Sequence, residues 1–158
     1  AVVWKRPRPG TPVVKGDTEM AFENPLIGQW MYRSFNNVTT DPKPFDDILF
    51  GEGTLTFTEA PMQLIAGTIG TPGSWGLTLQ GSMTYGNPFC ARFQGTGVNN
   101  GEEWVYDYEV YLVKAWPNGV NQVDALVGSV VRTVPHSGGD GSIHPAGVVA
   151  SVVAVRLS

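Results

Sequence analysis

Two histidines flank a glycine-rich loop near the carboxyl end of the sequence. The loop runs from Pro135 to His144 and places Asp140 between His136 and His144. A metal site needs three or four ligands, and Cys90 belongs to a separate, distant strand. A nucleophilic serine would need a sharp turn of the Gly-x-Ser-x-Gly type, which the sequence does not contain. We therefore predict no metal site, and we expect both histidines to be solvated.

Two tyrosines, Tyr106 and Tyr108, are the remaining candidates for chemistry. They alternate along an aromatic run, so both would point to the same side of a strand. Their hydroxyls would donate hydrogen bonds to a carbonyl or to a developing oxyanion. Small barrels that resemble the allene oxide cyclases steer reactive apolar substrates by shape and such contacts, without a cofactor. The sequence lacks a phosphate-binding loop, so no cofactor is predicted, and catalytic residues stay unassigned.

The elements that would position these side chains are short strands separated by marked turns. Asn100-Gly101 and Asn118-Gly119 tolerate the positive φ that tight hairpins require, and no stretch has a helical period. The sequence therefore predicts an all-β fold, a single antiparallel up-and-down β-barrel of about eight strands over residues 25–158, after an extended arm over residues 1–24. The sequence leaves open whether the two predicted strands around Gly51 to Gly53 form one bent strand, so the number of strands is eight or nine. The predicted strands are Ile27–Phe35, Asp46–Phe50, Gly53–Glu59, Met62–Gly67, Trp75–Thr84, Pro88–Gly95, Glu103–Lys114, Val123–Val134 and Ala146–Leu157.

Alternation along these strands sorts the side chains into an inward and an outward set. In the run over residues 103–114, Asp107 and Glu109 must face water, which turns the aromatic register inward. A barrel of this size either fills such an interior or holds one small ligand, and small residues at Ala150 and Ala154 leave room beside the rings. The predicted ligand-binding residues are Tyr32, Phe57, Trp75, Leu77, Phe89, Phe93, Trp104, Tyr106 and Tyr108.

The first and last strands carry a family resemblance. Gly28-Gln29-Trp30 opens the first strand and Arg156 closes the last, so Trp30 and Arg156 are predicted to seal one end of the barrel. With the meander of hairpins, this pattern resembles the calycin superfamily, which includes lipocalins, fatty-acid-binding proteins and avidins. The resemblance implies an apolar or aromatic small-molecule ligand inside the barrel. Met31-Tyr32-Arg33-Ser34-Phe35 does not match the biotin contacts of avidins, so biotin is not the expected ligand.

Composition narrows the partners further. The net charge of −4 argues against nucleic acid, and the one basic cluster, Lys5, Arg6 and Arg8, is interpreted as a solvated tail or a docking arm. No apolar run reaches the roughly 20 residues of a membrane span. We therefore expect a soluble chain without membrane insertion, and the compartment, cytoplasmic or secreted, stays open. Both registers of the run over residues 146–157 are apolar, which favours a homo-oligomer.

Three functions remain open on the sequence alone. The first is binding of a small apolar or aromatic molecule in an aromatic-lined pocket. The second is cofactor-free isomerisation or cyclisation of such a molecule. The third is a structural or protein-interaction barrel with a filled core. The state of the barrel interior distinguishes them, because a filled interior favours only the third.

Overall fold

The computed structural model describes residues 23–39 and 42–158. In this part of the chain, eight strands form one closed antiparallel barrel in up-and-down order, which confirms the predicted fold class. A two-stranded ribbon and one 3-10 helix, Phe45–Ile48, accompany it. None of the described helical residues forms a span long and apolar enough to cross a membrane. The strands are β1 Gly28–Asn36, β2 Leu49–Thr58, β3 Leu64–Thr71, β4 Trp75–Thr84, β5 Cys90–Asn99, β6 Glu102–Val113, β7 Ala125–Arg132, β8 His136–Ser137, β9 Ile143–His144 and β10 Val149–Arg156.

The barrel closes between its first and last strands. Trp30 in β1 pairs directly with Arg156 in β10, and the guanidinium carbon of Arg156 lies 4.3 Å from the centroid of the Trp30 ring. Trp30 is fully buried and donates its indole N–H to the Leu26 carbonyl at 2.8 Å. Arg156 donates to the carbonyls of Ile27 and Pro25. The predicted pair that closes the barrel is therefore the Arg156 guanidinium stacked on the Trp30 indole, and backbone carbonyls just before β1 hold the guanidinium.

The region around β2 differs from the prediction in one respect. Residues 46–48 belong to the 3-10 helix, and β2 then runs unbroken through Gly51 and Gly53. The phenyl rings of Phe35 and Phe45 meet edge to face with centroids 5.1 Å apart, which fixes the short helix against the end of β1. Of the two alternatives for this region, the single strand is confirmed from Leu49 onwards, and the strand expected at residues 46–48 is replaced by the 3-10 helix.

Packed side chains fill one half of the barrel interior. Phe57 and Phe93 meet edge to face at 5.5 Å, and Phe93 stacks on Tyr108 at 4.9 Å. The stack of Phe93 and Tyr108 forms a floor near the middle of the barrel. Buried side chains on the far side of that floor complete the filled half, and they include Leu26, Trp30, Leu55, Ile65, Phe89, Leu112 and Leu126.

The arm predicted over residues 1–24 lies almost wholly outside the described residues, and so do Lys5, Arg6 and Arg8. The barrel predicted over residues 25–158 is described except for positions 40 and 41.

Candidate functional site

The other half of the barrel holds a cavity of about 780 Å³. It lies at the end where β1, β5 and β7 finish and where β2, β4, β6 and β10 begin, and the ribbon of β8 and β9 forms part of its rim. Aromatic and polar side chains share its wall. The lining residues are Tyr32, Ser34, Asn36, Leu49, Phe50, Gly51, Ser74, Trp75, Asn100, Glu102, Trp104, Tyr106, Tyr108, Arg132, His136, Ser137, Gly138, Gly139, His144 and Val148.

The predicted ligand-binding residues divide between the two halves of the barrel. Those on the cavity wall are Tyr32, Trp75, Trp104, Tyr106 and Tyr108. Those outside the lining, buried in the packed core instead, are Phe57, Leu77, Phe89 and Phe93. Alternation places all of them inward but carries no information on depth along the barrel axis. Contact between a ligand and the lining residues remains a prediction.

A chain of hydrogen bonds crosses the cavity wall from β7 to β8. Arg132 donates through Nε to the Tyr106 hydroxyl at 3.2 Å, and that hydroxyl lies 2.6 Å from Nε2 of His136. Nδ1 of His136 lies 3.0 Å from the Ser137 carbonyl, which can only accept, so Nδ1 carries the ring proton. Nε2 of the neutral ring is then an acceptor, and Tyr106 donates to it.

Burial sets the charge of His136. Desolvation of its ring lowers the pKa below the usual 6.5, so the imidazole is neutral at pH 7. The side chain is 5% exposed, and the expectation of a solvated histidine is wrong at this position. His136 pairs with His144 across the ribbon, and their ring centroids are 5.4 Å apart. The pairing of β8 with β9 turns the His136 side chain inward, and the glycine-rich sequence of the loop does not predict this position.

The ribbon is also tied to the start of β6. The imidazole of His136 stacks on the indole of Trp104 with centroids 4.1 Å apart. The Glu102 carboxylate accepts the Ser137 amide at 3.1 and 3.2 Å and the Ser137 hydroxyl at 3.0 Å. The indole N–H of Trp104 is buried and has no partner among the described residues. These contacts hold the wall together on this side, and the Trp104 N–H remains an unsatisfied donor among the described residues.

Two further phenols lie deeper in the cavity. Tyr32 and Tyr108 meet edge to face with centroids 6.2 Å apart. Burial raises the pKa of both hydroxyls well above the usual value of 10. Both phenols therefore stay protonated in neutral and mildly alkaline solution, and they lie at the inner end of the cavity.

The loop between β8 and β9 does not assemble a metal centre. The Asp140 carboxylate accepts the Ser142 amide at 3.0 Å and the Ser142 hydroxyl at 2.5 Å, within the turn itself. Among residues 23–39 and 42–158, no three side chains of His, Cys, Asp or Glu lie close enough to hold a metal ion.

Comparison with known proteins does not assign this chain to a family or a function. No family model, curated protein or solved structure matched this chain. The chemistry of the cavity wall is therefore the basis for a functional assignment. That wall offers flat aromatic surfaces, one guanidinium, one neutral imidazole hydrogen-bonded to a phenol, and two protonated phenols.

Sequence analysis did not select Arg132 or His136 as site residues. A signal for Arg132 was present, since it continues the inward register of Leu126 and Val130, where a charged side chain is exceptional. The sequence analysis noted His136 only as a loop histidine, because its inward position depends on pairing across the ribbon with His144.

Proposed function

We propose that the protein binds a small organic molecule with an aromatic or apolar body in the cavity. The observation that carries the proposal is the unequal filling of the barrel, packed at one end and open over about 780 Å³ at the other. Ligand pockets in proteins occupy roughly 300–1,000 Å³ and combine apolar walls with a few placed polar groups. A purely structural barrel would be expected to fill both ends with the same large side chains.

The wall itself suits a flat ligand. Trp75 and Trp104 have ring centroids 6.4 Å apart and planes inclined by 31°, and they present aromatic surface at the rim. Tyr32 and Tyr108 supply donors at the inner end. A ring system inserted between them would gain apolar burial along its body and a hydrogen bond at its tip.

We also propose that the barrel is calycin-like. The support is the contact between Trp30 and Arg156, the two residues on which the sequence resemblance depends, at the closed end of the barrel. Gly28 adds to it, because its φ of 123° lies in the left-handed region that favours glycine at the start of β1. Ligand binding inside the barrel is the activity that the resemblance implies.

The binding proposal is tested by filling the cavity from its wall. Gly51 faces the interior beside Ser34, and a Cβ at this position would lie 3.4 Å from Ser34 Oγ, an ordinary contact. Gly51→Leu should therefore occupy the cavity without straining the backbone. Gly76→Leu is the matched control, because the only neighbour of a Cβ there is the Ile69 carbonyl oxygen at 4.0 Å.

The probe is 2-naphthalenemethanol, a neutral two-ring molecule, titrated against tryptophan fluorescence and thermal unfolding. We expect saturable quenching with the unsubstituted protein and with Gly76→Leu, and an affinity loss of at least about tenfold with Gly51→Leu. If neither this probe nor a broader set of neutral aromatic compounds gave saturable quenching or a thermal shift, the binding proposal would be wrong.

A second candidate function is cofactor-free isomerisation of a carbonyl compound. The specific observation in its favour is the Tyr106 hydroxyl, held between the Arg132 guanidinium and a neutral His136 ring. In this reaction a substrate C–H bond breaks and its proton passes to Tyr106, while the original phenol proton forms an N–H bond at Nε2 of His136. When a carbon–carbon double bond is conjugated to the enolate, the electron pair stays on the substrate as a dienolate. Tyr106 then gives its proton to the γ-carbon, and Nε2 of His136 returns its proton to the Tyr106 oxygen, which gives the isomer. The hydroxyls of Tyr32 and Tyr108 would donate to the enolate oxygen.

This candidate is tested with 2-tetralone, a bicyclic ketone whose α-hydrogens exchange with solvent through the enol. We expect the protein to accelerate deuterium incorporation in D₂O, Tyr106→Phe to remove that acceleration, and Tyr85→Phe to retain it. Tyr85 is a matched control because its hydroxyl bonds the Glu23 carbonyl outside the cavity. Exchange no faster than in buffer would exclude this reaction for 2-tetralone-like ketones and leave ligand binding intact.

A further inference from the structure

Arg132 places a buried positive charge on the cavity wall. Arg132 is the last residue of β7, and it is 7% exposed. Removing a cation from water is strongly unfavourable unless charged or strongly polar partners replace the lost hydration. The partners of Arg132 among the described residues are neutral. Nε donates to the Tyr106 hydroxyl at 3.2 Å, and Nη1 donates to the Pro145 carbonyl at 3.1 Å.

No carboxylate balances this charge within residues 23–39 and 42–158. The ion pairs found there join Arg92 to Glu109 and Arg156 to Asp124. Glu102 lies on the same cavity wall, but its carboxylate is engaged by the amide and hydroxyl of Ser137 rather than by Arg132. Nη2 of Arg132 has no hydrogen-bond partner in the described part of the chain. The guanidinium is thus incompletely paired beside an open cavity.

Two aromatic rings define the direction from which a partner can approach. The guanidinium carbon lies 5.0 Å from the centroid of Phe50 and 5.8 Å from that of Tyr106, and both residues line the cavity. These rings pack against the guanidinium, and its remaining N–H donors have no partner in the described part of the chain. A planar anion matches these donors better than a neutral carbonyl does, because each hydrogen bond becomes charge-assisted.

We infer that the cavity selects planar aromatic carboxylates, with the carboxylate paired to Arg132 and the ring system lying against Phe50, Trp104 and Tyr106. This inference rests on the proposed ligand-binding function and adds the chemical class of the ligand. The ligand supplies the negative charge that the described part of the protein does not. The indole and phenol rings of the wall then cover the apolar body of the same molecule.

The test compares two ligands of nearly equal shape on the unsubstituted protein, 2-naphthoate and 2-naphthamide. Both are flat, and they differ in charge. We expect 2-naphthoate to bind at least about tenfold more tightly, the ratio that corresponds to roughly 1.4 kcal/mol. Similar affinities for both would overturn the inference while leaving the binding function standing. Failure of both ligands, together with the neutral alcohol probe, would count against the binding function itself.

Two substitutions assign the preference to a residue. Arg132→Met should bring the ratio of the affinities for 2-naphthoate and 2-naphthamide close to one. Arg92→Met, which removes an exposed arginine on the outer surface, should keep the ratio unchanged. A preference for 2-naphthoate that survives in folded Arg132→Met would overturn the assignment.

A measurement on the unsubstituted protein covers the case in which Arg132→Met does not fold. The Nε–H of a buried arginine gives a resolved nuclear magnetic resonance signal, and 2-naphthoate should shift that of Arg132 in a saturable way. The amide should shift it far less. No shift of the Arg132 signal at saturating 2-naphthoate would overturn the inference.

Discussion

The imidazole of His136 lies flat on the indole of Trp104, with ring centroids 4.1 Å apart and planes inclined by 17°. This stack attaches the ribbon of β8 and β9 to the start of β6 and turns a glycine-rich loop into one wall of the cavity. A neutral imidazole can pack on an indole without burying a charge. Because the stack removes the His136 ring from water, it also lowers the pKa of the imidazole and keeps the ring neutral.

The first prediction concerns acid stability. Burial holds the pKa of His136 below 6.5 in the folded protein, so the unfolded chain binds a proton here at a higher pH than the folded chain does. The contribution of the neutral His136 ring to the free energy of unfolding is complete above pH 6.5, and it is lost as the pH falls through the lowered pKa of the folded protein. Urea denaturation between about pH 7.5 and pH 5 should show the free energy of unfolding decreasing across this range. In His136→Gln, which cannot titrate, the decrease should be smaller.

An equal pH dependence in His136→Gln would mean that other groups cause the acid sensitivity. The ring can also be followed directly by nuclear magnetic resonance. Its titration midpoint should lie below 6.5, with the proton of the neutral form on Nδ1.

The second prediction concerns the attachment of the ribbon to β6. Glu102→Ala removes the acceptor of the Ser137 amide and hydroxyl. We expect faster hydrogen exchange of the Ser137 amide and a loss of about 1 kcal/mol in the free energy of unfolding, since the contact is partly exposed. Glu103→Ala is the matched control, because Glu103 is exposed on the same strand. Unchanged exchange at Ser137 would show that stacking on Trp104 alone holds the ribbon.

The third prediction concerns the closed end of the barrel. Trp30 is fully buried beneath Arg156, so Trp30→Ala leaves a large cavity and should cost about 3–5 kcal/mol in the free energy of unfolding. Trp116 is 79% exposed, and Trp116→Ala should change stability by no more than about 0.5 kcal/mol. Equal effects of the two substitutions on thermal unfolding would contradict the role of Trp30 as the closing core residue.

The sequence was sufficient to predict the barrel because turns and alternation are local properties. Trp75–Thr84 was predicted with the bounds that β4 has in the structure. The cavity was predicted only in part. Phe57 and Phe93 point inward as expected, but whether they line a space or fill it depends on their contact with each other across the barrel. That contact joins distant strands, and no periodic pattern within either strand encodes it.

The same limit applies to the polar side of the site. Arg132 reaches Tyr106 because β7 pairs with β6 in a register that sets the two residues side by side. The sequence marks both as inward but does not give the register between strands. His136 enters the wall through the pairing of two-residue strands, which are too short to leave a periodic signal.

The fourth prediction concerns self-association. The outer face of β1, β10, β7 and β6 carries two neighbouring rows that are largely apolar. Three of their side chains, Met31, Val127 and Val153, are 38–45% exposed. A barrel face that meets water normally alternates with polar residues, and a contiguous apolar face marks an interaction surface. The members of the rows are Met31, Val155, Ala125 and Val113 in one, and Arg33, Val153, Val127 and Tyr111 in the other.

We expect a second copy of the chain to cover this face, because a two-fold arrangement sets each apolar row against a matching one. Val153→Glu places a carboxylate at the centre of the face and should dissociate the oligomer. Thr78→Glu, on β4 at the opposite side of the barrel, should not. Sedimentation at micromolar concentration measures both, and an unsubstituted protein that sediments as a single species near 17.0 kDa would contradict the prediction.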